Sequence, residues 1–269
     1  MSAGTVVLVG CGQMGSAMLR GWLASGAAAR FVVVEPAGAP EALAASPKVQ
    51  AHRSAAEFSG DLAPDAVVFA VKPQGIGDIV PDYRRFARPE TVFMSIAAGT
   101  TIAGLARHLG AAAIVRVMPN TPAAIGRAIS VACANPRVTE AQRELCGALL
   151  AAIGESTWVE DEGLLDAVTA VSGSGPAYVF LLIETLAAAG VNSGLPPELA
   201  AHLALATVAG SGELARVSKE TPSKLRANVT SPGGTTRAAL DVLMGGDGLA
   251  ELMDRAVAAA TRRSRELAR

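Results

Sequence analysis

The sequence predicts an α/β domain with a doubly wound sheet, followed by an all-α domain. In residues 1–157, short β-branched runs alternate with segments long enough for helices, and a glycine-rich turn follows the first run. Beyond Trp158 the pattern changes to long Ala- and Leu-rich helical periodicity. We therefore expect two domains, 1–157 and 158–269.

The expected strands are short apolar runs of the kind that lie buried on both faces of a parallel sheet. The first covers residues 5–9 and leads into a helix over 14–25, whose apolar residues recur at helical spacing. Later strands are expected at residues 31–34, 66–71, 91–95, 114–118 and 128–132.

Composition argues against several classes of protein. A chain of 269 residues can bury enough surface to fold without disulfides or a structural metal. Its cysteines, Cys11, Cys133 and Cys146, are far apart and outside any metal-binding spacing, so we expect buried thiols in a reducing compartment and no metal. The formal charge of −1 gives no basic field for nucleic acid. Apolar runs long enough for a membrane span are interrupted by Gly, Pro or charge, so we expect a cytoplasmic protein without a membrane partner.

The turn directly after the first strand reads Gly10-Cys11-Gly12-Gln13-Met14-Gly15. In such a turn the first glycine permits the tight bend, the second a close approach of backbone to a pyrophosphate, and the third close packing of helix on strand. Between a strand and a helix, the pattern predicts a Rossmann-like dinucleotide site, with the phosphates at the N-terminus of the helix that begins near Gln13 and Met14.

Glu35, at the end of the second strand, bears on the choice of cofactor. A carboxylate there accepts hydrogen bonds from a free ribose diol and repels a 2′-phosphate, so it favours NADH over NADPH. Arg53 and Lys48 are candidate counter-charges for such a phosphate, or else surface residues, and both cofactors stay open.

Two further strand ends are expected at the same carboxyl edge of the sheet. They carry Ala70, Val71, Lys72 and Pro73 after one strand, and Ala97, Ala98 and Gly99 after another. The small residues leave a surface flat enough for a nicotinamide or a ribose. Lys72 is either catalytic or a strand-end lysine beside the cofactor. Residues 116–123, in which two prolines bracket Asn120 and Thr121, are either a fixed loop over the site or a plain turn.

The helical half offers few groups able to do chemistry. Its Ala-rich helices are short of polar residues, which predicts burial against another subunit in an obligate homodimer or a larger assembly. His52, His108 and His202 lie near no Ser or Cys motif, so a triad hydrolase is not expected.

Residues 229–236, Val-Thr-Ser-Pro-Gly-Gly-Thr-Thr, form a polar turn between helical stretches. Pro232 stiffens the turn, Gly233 and Gly234 bare their backbone N–H groups, and Thr235 and Thr236 start the next helix as N-cap residues. From the residues alone, this is either a well-capped helix and nothing more or a site for a carboxylate or phosphate.

Together these motifs resemble the pyrroline-5-carboxylate reductase family over nearly the whole chain. Besides the glycine-rich turn, the shared segments are residues 70–74, 117–122, 170–178 and 230–236. The resemblance implies a Rossmann-like domain, a C-terminal helical dimerisation domain, and a homodimer that assembles further into a ring such as a decamer. It also implies hydride transfer from NAD(P)H to C5 of 1-pyrroline-5-carboxylate, which gives L-proline in the last step of its biosynthesis.

The resemblance implies roles for individual residues as well. Thr236 would be the catalytic residue, hydrogen-bonded to the ring nitrogen, while the backbone of Gly233, Gly234 and Thr235 holds the substrate carboxylate and Ser231 also contacts the substrate. The remaining implied positions are Glu162 and Ser174 on the substrate side and Asn228 at the cofactor. The chain departs from the family pattern at Arg53, Lys219 and Arg237, the last either adding charge near the substrate or facing solvent.

Two other functions are weighed against this one. A β-hydroxyacid-dehydrogenase-like reductase would need a catalytic lysine on the first long helix of the second domain, yet residues 164–184 contain none. A non-catalytic NAD(P)-binding regulator would bind the dinucleotide without turnover, and the intact 231–236 turn argues against it.

Overall fold

The structure is a computed structural model that describes residues 3–58 and 62–267. Within these residues eight strands form a single sheet. In chain order they are β1 (Ala3–Val9), β2 (Ala28–Val34), β3 (Val49–His52), β4 (Ala66–Phe69), β5 (Val92–Ser95), β6 (Ala113–Met118), β7 (Ala128–Ala134) and β8 (Gly154–Trp158).

Helices follow most strands in the first half and make up nearly all of the second. They are α1 (Gln13–Ser25), α2 (Glu41–Ala44), α3 (Ile76–Ile79), α4 (Ile102–Leu109), α5 (Glu140–Ala151), α6 (Leu164–Val168), α7 (Gly175–Asn192), α8 (Pro197–Val217), α9 (Pro222–Asn228), α10 (Thr235–Leu243) and α11 (Leu249–Leu267). A π-helical turn, Thr169–Gly173, joins α6 to α7.

The strand order is β3-β2-β1-β4-β5-β6-β7-β8, and the expected doubly wound α/β fold is confirmed. β1 pairs in parallel with both β2 and β4, so the chain order reverses across β1 and opens a crevice at the carboxyl ends of β1 and β4. β7 runs antiparallel to β6. The physical reason is the connection 119–127, which is shorter than the dozen or so residues that a parallel crossover needs.

Apolar layers cover both faces of the sheet. Alternate residues of β1 face opposite sides: Val6 and Leu8 belong to one buried cluster, and Val7 and Val9 to the other. The first cluster includes apolar residues of α1 and α5, and the second includes those of α4 and of the Val80–Phe86 3-10 helix. The prediction of strands buried on both faces is confirmed.

Some boundaries differ from those expected. β4 ends at Phe69, so Ala70 and Val71 belong to the turn that follows it. Sequence patterns gave no sign of β3, an edge strand whose residues are partly exposed and include Gln50 and His52.

The chain divides into two compact units, residues 1–173 with 260–269 and residues 174–259. This division differs from the expected boundary at 157/158. Leu165 is buried with Val131 and Cys133 of β7, and Asp166 accepts a hydrogen bond from Ser264 Oγ at 2.7 Å. Residues 158–173 and the end of α11 therefore pack with the first unit.

The second unit exposes a large apolar surface. Inside it, α7 and α8 pack through small residues, since a Cβ on Gly190 would lie 3.2 Å from the Cβ of Ala200. Phe180 and Leu181 of α7 are each 57% exposed. Among the residues that the structure describes, one helical run, Leu164–Asn192, is apolar enough by length and composition alone to cross a membrane, and none of its most apolar window is buried within the chain.

Alanine substitutions at two helical glycines of the first unit should change the free energy of unfolding in opposite directions. A Cβ on Gly21 of α1 would lie 2.5 Å from the carbonyl oxygen of Ala152, whereas a Cβ on Gly147 of α5 would meet no heavy atom within 4 Å. We expect Gly21→Ala to lower the free energy of unfolding by about 1–3 kcal/mol, as overpacking does. Gly147→Ala should raise it by up to about 1 kcal/mol through helix propensity. Urea unfolding of both variants measures the two effects, and a Gly21→Ala protein as stable as the wild type would contradict the close approach.

Candidate active site

The glycine-rich turn has the geometry that the sequence predicts. Gly10 has φ 92°, a conformation that favours glycine, and its N–H donates to the carbonyl of Val34 at 2.8 Å. A Cβ on Gly15 would lie 2.3 Å from the Gly10 carbonyl oxygen, so only glycine lets α1 begin this close to β1. A Cβ on Gly12 would meet nothing within 4 Å, and the backbone there is open to a ligand.

Glu35 is bound to this turn. One carboxylate oxygen accepts the N–H of Cys11 at 2.7 Å and the other accepts the N–H of Ala37 at 3.2 Å. The carboxylate thus ties the end of β2 to the glycine-rich turn. Each oxygen has a second lone pair available, so these contacts still allow hydrogen bonds from a diol.

Two cavities lie at the carboxyl edge of the sheet, one on each side of Gly12 and the β4 turn. The first, about 400 Å³, is lined by Gly10, Glu35, Arg53 and Ser54 among others. The second, about 420 Å³, is lined by Gln13, Met14, Pro73, Ala97, Ala98 and the loop of Met118 to Thr121. Gly12, Ala70, Val71 and Lys72 line both.

This arrangement fits a ligand with two arms joined at Gly12. Apart from Gly15, which packs beneath the turn, and Asn228, every expected cofactor residue lines one of the two cavities. Between the two alternatives for residues 116–123, the structure supports a loop over the site, because Met118, Asn120 and Thr121 form part of a cavity wall. Lys72 is exposed and caps a short 3-10 turn.

Sequence reasoning missed several residues of the cavity walls. Tyr83 lines the first cavity, and burial raises the pKa of its phenol. Gly173, on the π-helical turn, lines the second, and a Cβ there would lie 2.4 Å from Cε of Met118. The side chain of Asn120 joins these pieces by accepting the N–H of Ile129 at 3.0 Å and donating to the carbonyl of Ser172 at 3.2 Å. Tyr83 carries no motif signal, because a distant segment brings it there, whereas Gly173 belongs to the 170–178 segment shared with the family.

Glu162 is engaged inside the first unit. Its Oε1 accepts from Nη1 of Arg116 at 3.0 Å and from the backbone N–H of Ile102 at 2.8 Å. Arg116, on β6, is 5% exposed. Burial first, and then the negative charge of Glu162, raise the pKa of the Cys133 thiol.

The 229–236 turn lies in the second unit and leads into α10. Gly233 has φ 70°, and the N–H of Gly234 donates to the carbonyl of Ser231 at 3.1 Å. The N-cap is Gly234, without a side-chain cap, and Thr235 and Thr236 are already helical and exposed. The expectation that these threonines cap the helix is therefore wrong. The first N–H groups of a helix have no acceptor within it, so this turn can receive an anion.

The other implied site residues have local partners or a structural position. Asn228 Nδ2 donates to Glu220 at 2.9 Å in the second unit. Ser174 is the N-cap of α7. Arg237 pairs with Asp241 at 2.8 Å on an exposed face of α10, as expected of a solvent-facing residue.

The thiols are buried, as predicted. Cys11, Cys133 and Cys146 are all free, and burial raises the pKa of each, that of Cys146 to about 12. Over residues 3–58 and 62–267, no group of three or more His, Cys, Asp or Glu side chains is placed to hold a metal ion.

Family models match both halves of the chain. The model described as pyrroline-5-carboxylate reductase dimerisation matches residues 162–267. The model described as NADP oxidoreductase coenzyme F420-dependent matches residues 5–99, which include the glycine-rich turn.

Relatives match over the full length. A pyrroline-5-carboxylate reductase of Pseudomonas aeruginosa is 40% identical, over 100% of this chain and 98% of the relative. One from Pisum sativum is 38% identical, over 98% and 96%.

Solved structures give the same result. The pyrroline-5-carboxylate reductase of Coxiella burnetii has a TM-score of 0.89 and 31% identity, over 98% of each chain. The pyrroline carboxylate reductase of Plasmodium falciparum with NADP bound has a TM-score of 0.85 and 30% identity, over 100% of each chain. The chain has a glycine-rich turn in one unit and a helix with a glycine N-cap in the other, and it is similar to pyrroline-5-carboxylate reductases along its whole length. It therefore belongs to the pyrroline-5-carboxylate reductase family.

Proposed function

We propose that this protein reduces 1-pyrroline-5-carboxylate to L-proline with NAD(P)H, the last step of proline biosynthesis. The observation that carries the proposal is the 231–236 turn, which begins a helix with a glycine N-cap in a chain similar to these reductases from end to end. The reaction adds a hydride to C5 of the protonated imine, and the C=N bond becomes the C–N bond of a secondary amine. A protonated imine is already an electrophile, so the protein has to orient it rather than activate it with a metal or a nucleophile.

The first unit would hold the dinucleotide. The bare backbone of Gly12 and the N-terminus of α1 fit a pyrophosphate, and the two cavities on either side of Gly12 fit the two nucleoside arms. When bound, the reduced nicotinamide supplies the hydride. Ala97 and Ala98 offer it a surface without bulky side chains.

The second unit would hold the substrate. Backbone N–H groups at the start of α10 bind the carboxylate, with Thr235 and Gly233 the best placed because the N–H of Gly234 donates to Ser231. The Thr236 hydroxyl would hydrogen-bond the ring nitrogen and orient it as the imine becomes an amine. We propose Ser174 and Asn228 as supporting contacts to substrate and cofactor.

NADH is the proposed preferred cofactor. Glu35 brings a negative charge to the cavity that would receive the adenosine ribose, which disfavours a 2′-phosphate. Arg53 lines the same cavity and opposes this effect. The preference therefore depends on which of the two charges lies nearer the ribose.

We propose that the exposed face of α7 is covered by a second copy of the chain. The match of residues 162–267 to a dimerisation model supports a protein interface here and not a membrane span. The Leu164–Asn192 run also contains Glu184, glycines and a proline, which interrupt its apolar sequence. The homodimer would assemble further, to a decamer, in the cytoplasm, without a membrane or nucleic-acid partner.

Cofactor oxidation tests the function and the preference together. The purified protein should oxidise NADH and NADPH only when 1-pyrroline-5-carboxylate is added, with the higher kcat/KM for NADH.

Glu35→Ser should move the kcat/KM ratio toward NADPH by about 10-fold or more, because it removes about 1.4 kcal/mol or more of repulsion. Arg53→Ala, the control in the same cavity, should move the ratio the other way. No turnover with either cofactor would refute the reductase assignment, and an unchanged ratio in Glu35→Ser would refute the role of the carboxylate alone.

Thr236 can be tested by three substitutions of similar size. Thr236→Ala and Thr236→Val should lower kcat by about 10- to 1000-fold, the range for one positioned hydrogen-bonding group. Thr236→Ser keeps the hydroxyl and should retain most of the rate. Steady-state kinetics on folded variants measures this, and a fully active Thr236→Val protein would remove the hydroxyl from the mechanism.

The proposed assembly has its own test. The wild type should sediment as a dimer or larger, and Phe180→Asp on α7 should raise the concentration for half-dissociation by about 10-fold or more, since it places a charge in an apolar contact. Ile125→Asp, at a residue 76% exposed in the first unit, is the control and should leave sedimentation unchanged. A stable, active wild-type monomer would contradict the proposal.

A further inference from the structure

Arg116 is a buried cation that the proposed chemistry does not use. It lies on β6 with 5% of its surface exposed, and its Nη1 is 3.0 Å from Oε1 of Glu162. A buried guanidinium is tolerated in a protein only when it is paired and hydrogen-bonded. Glu162 therefore has a charged, hydrogen-bonded partner inside the first unit.

The same carboxylate oxygen holds the start of a helix. Oε1 of Glu162 accepts the N–H of Ile102, the first residue of α4, at 2.8 Å, and Thr101 Oγ1 accepts the N–H of Gly104 at 3.0 Å. A negative charge at a helix N-terminus is stabilising. Two of the N–H groups that α4 would leave without a helical acceptor are thus satisfied, and the helix start is fixed to β6 through Glu162.

The segment just before α4 is a wall of the second cavity. Ile96, Ala97 and Ala98 line this cavity from the β5–α4 connection, and Met118, two residues beyond Arg116 on β6, lines it as well. The connection is also held at its far side, where a Cβ on Gly99 would lie 2.9 Å from Leu267. Any shift of the α4 start relative to β6 therefore changes the separation of two walls of the cavity.

We propose that Glu162 and Arg116 form a positioning pair, which sets the Ala97–Ala98 surface against Met118 and so fixes the height of the nicotinamide in the cavity. This inference rests on the proposed function. It gives Glu162 a role other than the substrate contact that the family resemblance implies, because its Oε1 already serves Arg116 and Ile102.

The two roles of Glu162 predict different kinetics. A positioning residue acts on the hydride donor, so its loss lowers kcat and leaves the KM for the imine nearly unchanged. It also tolerates glutamine, whose amide oxygen still accepts the N–H of Ile102. If the carboxylate instead bound the cationic substrate, its removal would raise the KM for the imine, and glutamine would not restore that KM.

The test compares Glu162→Ala with Glu162→Gln and with Glu160→Ala, a matched control two residues earlier. Glu160 is 90% exposed at its side chain and makes a longer ion pair, 3.5 Å, with Arg143. We expect Glu162→Ala to lower kcat by about 10- to 100-fold, the scale of a small misplacement of reacting groups, with the imine KM within about 3-fold of wild type. Glu162→Gln should keep kcat within about 5-fold, and Glu160→Ala should match the wild type.

Hydrogen exchange gives a readout that does not need turnover. In Glu162→Ala, the amides of residues 97–105 should exchange about 10-fold faster or more, while those of β1 stay unchanged. Should the lone Arg116 charge prevent folding, the Arg116→Met/Glu162→Ala double variant removes that charge, and the same loss of kcat and faster exchange are expected.

The outcomes separate this inference from the function on which it rests. No turnover by the wild-type protein refutes the proposed function. An active wild type whose Glu162→Ala variant behaves like Glu160→Ala overturns the positioning pair, as does a rise of 10-fold or more in the imine KM at unchanged kcat.

Discussion

The close contact between Gly15 and the carbonyl of Gly10 is the constraint on which the dinucleotide site depends. With the would-be Cβ of Gly15 only 2.3 Å from that oxygen, no larger residue lets α1 start directly beneath the end of β1. Farther along, Gly21 makes a similar approach to Ala152. The helix is thus fixed at two points, against the turn after β1 and against the C-terminal end of α5, and its N-terminal N–H groups lie at the crevice.

Two kinds of helix start contrast threonine with glycine. α4, α5 and α9 begin at Thr101, Thr139 and Thr221, each of which accepts a backbone N–H with its own hydroxyl. α1 and α10 begin at Gly12 and Gly234, which have no side chain to do this. A threonine cap satisfies the helix internally, whereas a glycine start leaves the N–H groups to an external anion. To the glycine starts of the two longer helices, α1 and α10, we assign the pyrophosphate and the substrate carboxylate, one in each unit.

The parts of the fold and site that sequence predicted are those determined locally. Buried strands, the glycine-rich turn and the 231–236 turn each depend on a few adjacent residues, and the structure forms all of them. The reversal of β7 was missed because strand direction depends on the length of a connection, not on the residues of the strand. The partner of Glu162 was missed for a related reason: Arg116 is distant in sequence, and only the strand order brings the two together. The two units divide at 173/174 and not at the expected 157/158, because Leu165 packs against β7. Helical periodicity does not reveal that contact.

The second unit carries both the exposed apolar face of α7 and the turn to which we assign the substrate carboxylate. An apolar side chain contributes about 1.5–3 kcal/mol when it is fully removed from water, yet Phe180, Leu181 and Leu182 are each about half exposed on α7. In a single chain these side chains stay in contact with water and do not contribute that free energy. The second unit therefore reaches full stability only when another surface covers them. The 231–236 turn belongs to the same unit, and in the proposed function its N–H groups must be held rigidly to orient a substrate that needs no other activation. In the proposed function, an interface over α7 would therefore contribute to the rate by keeping this turn rigid, even where none of its residues touches the imine.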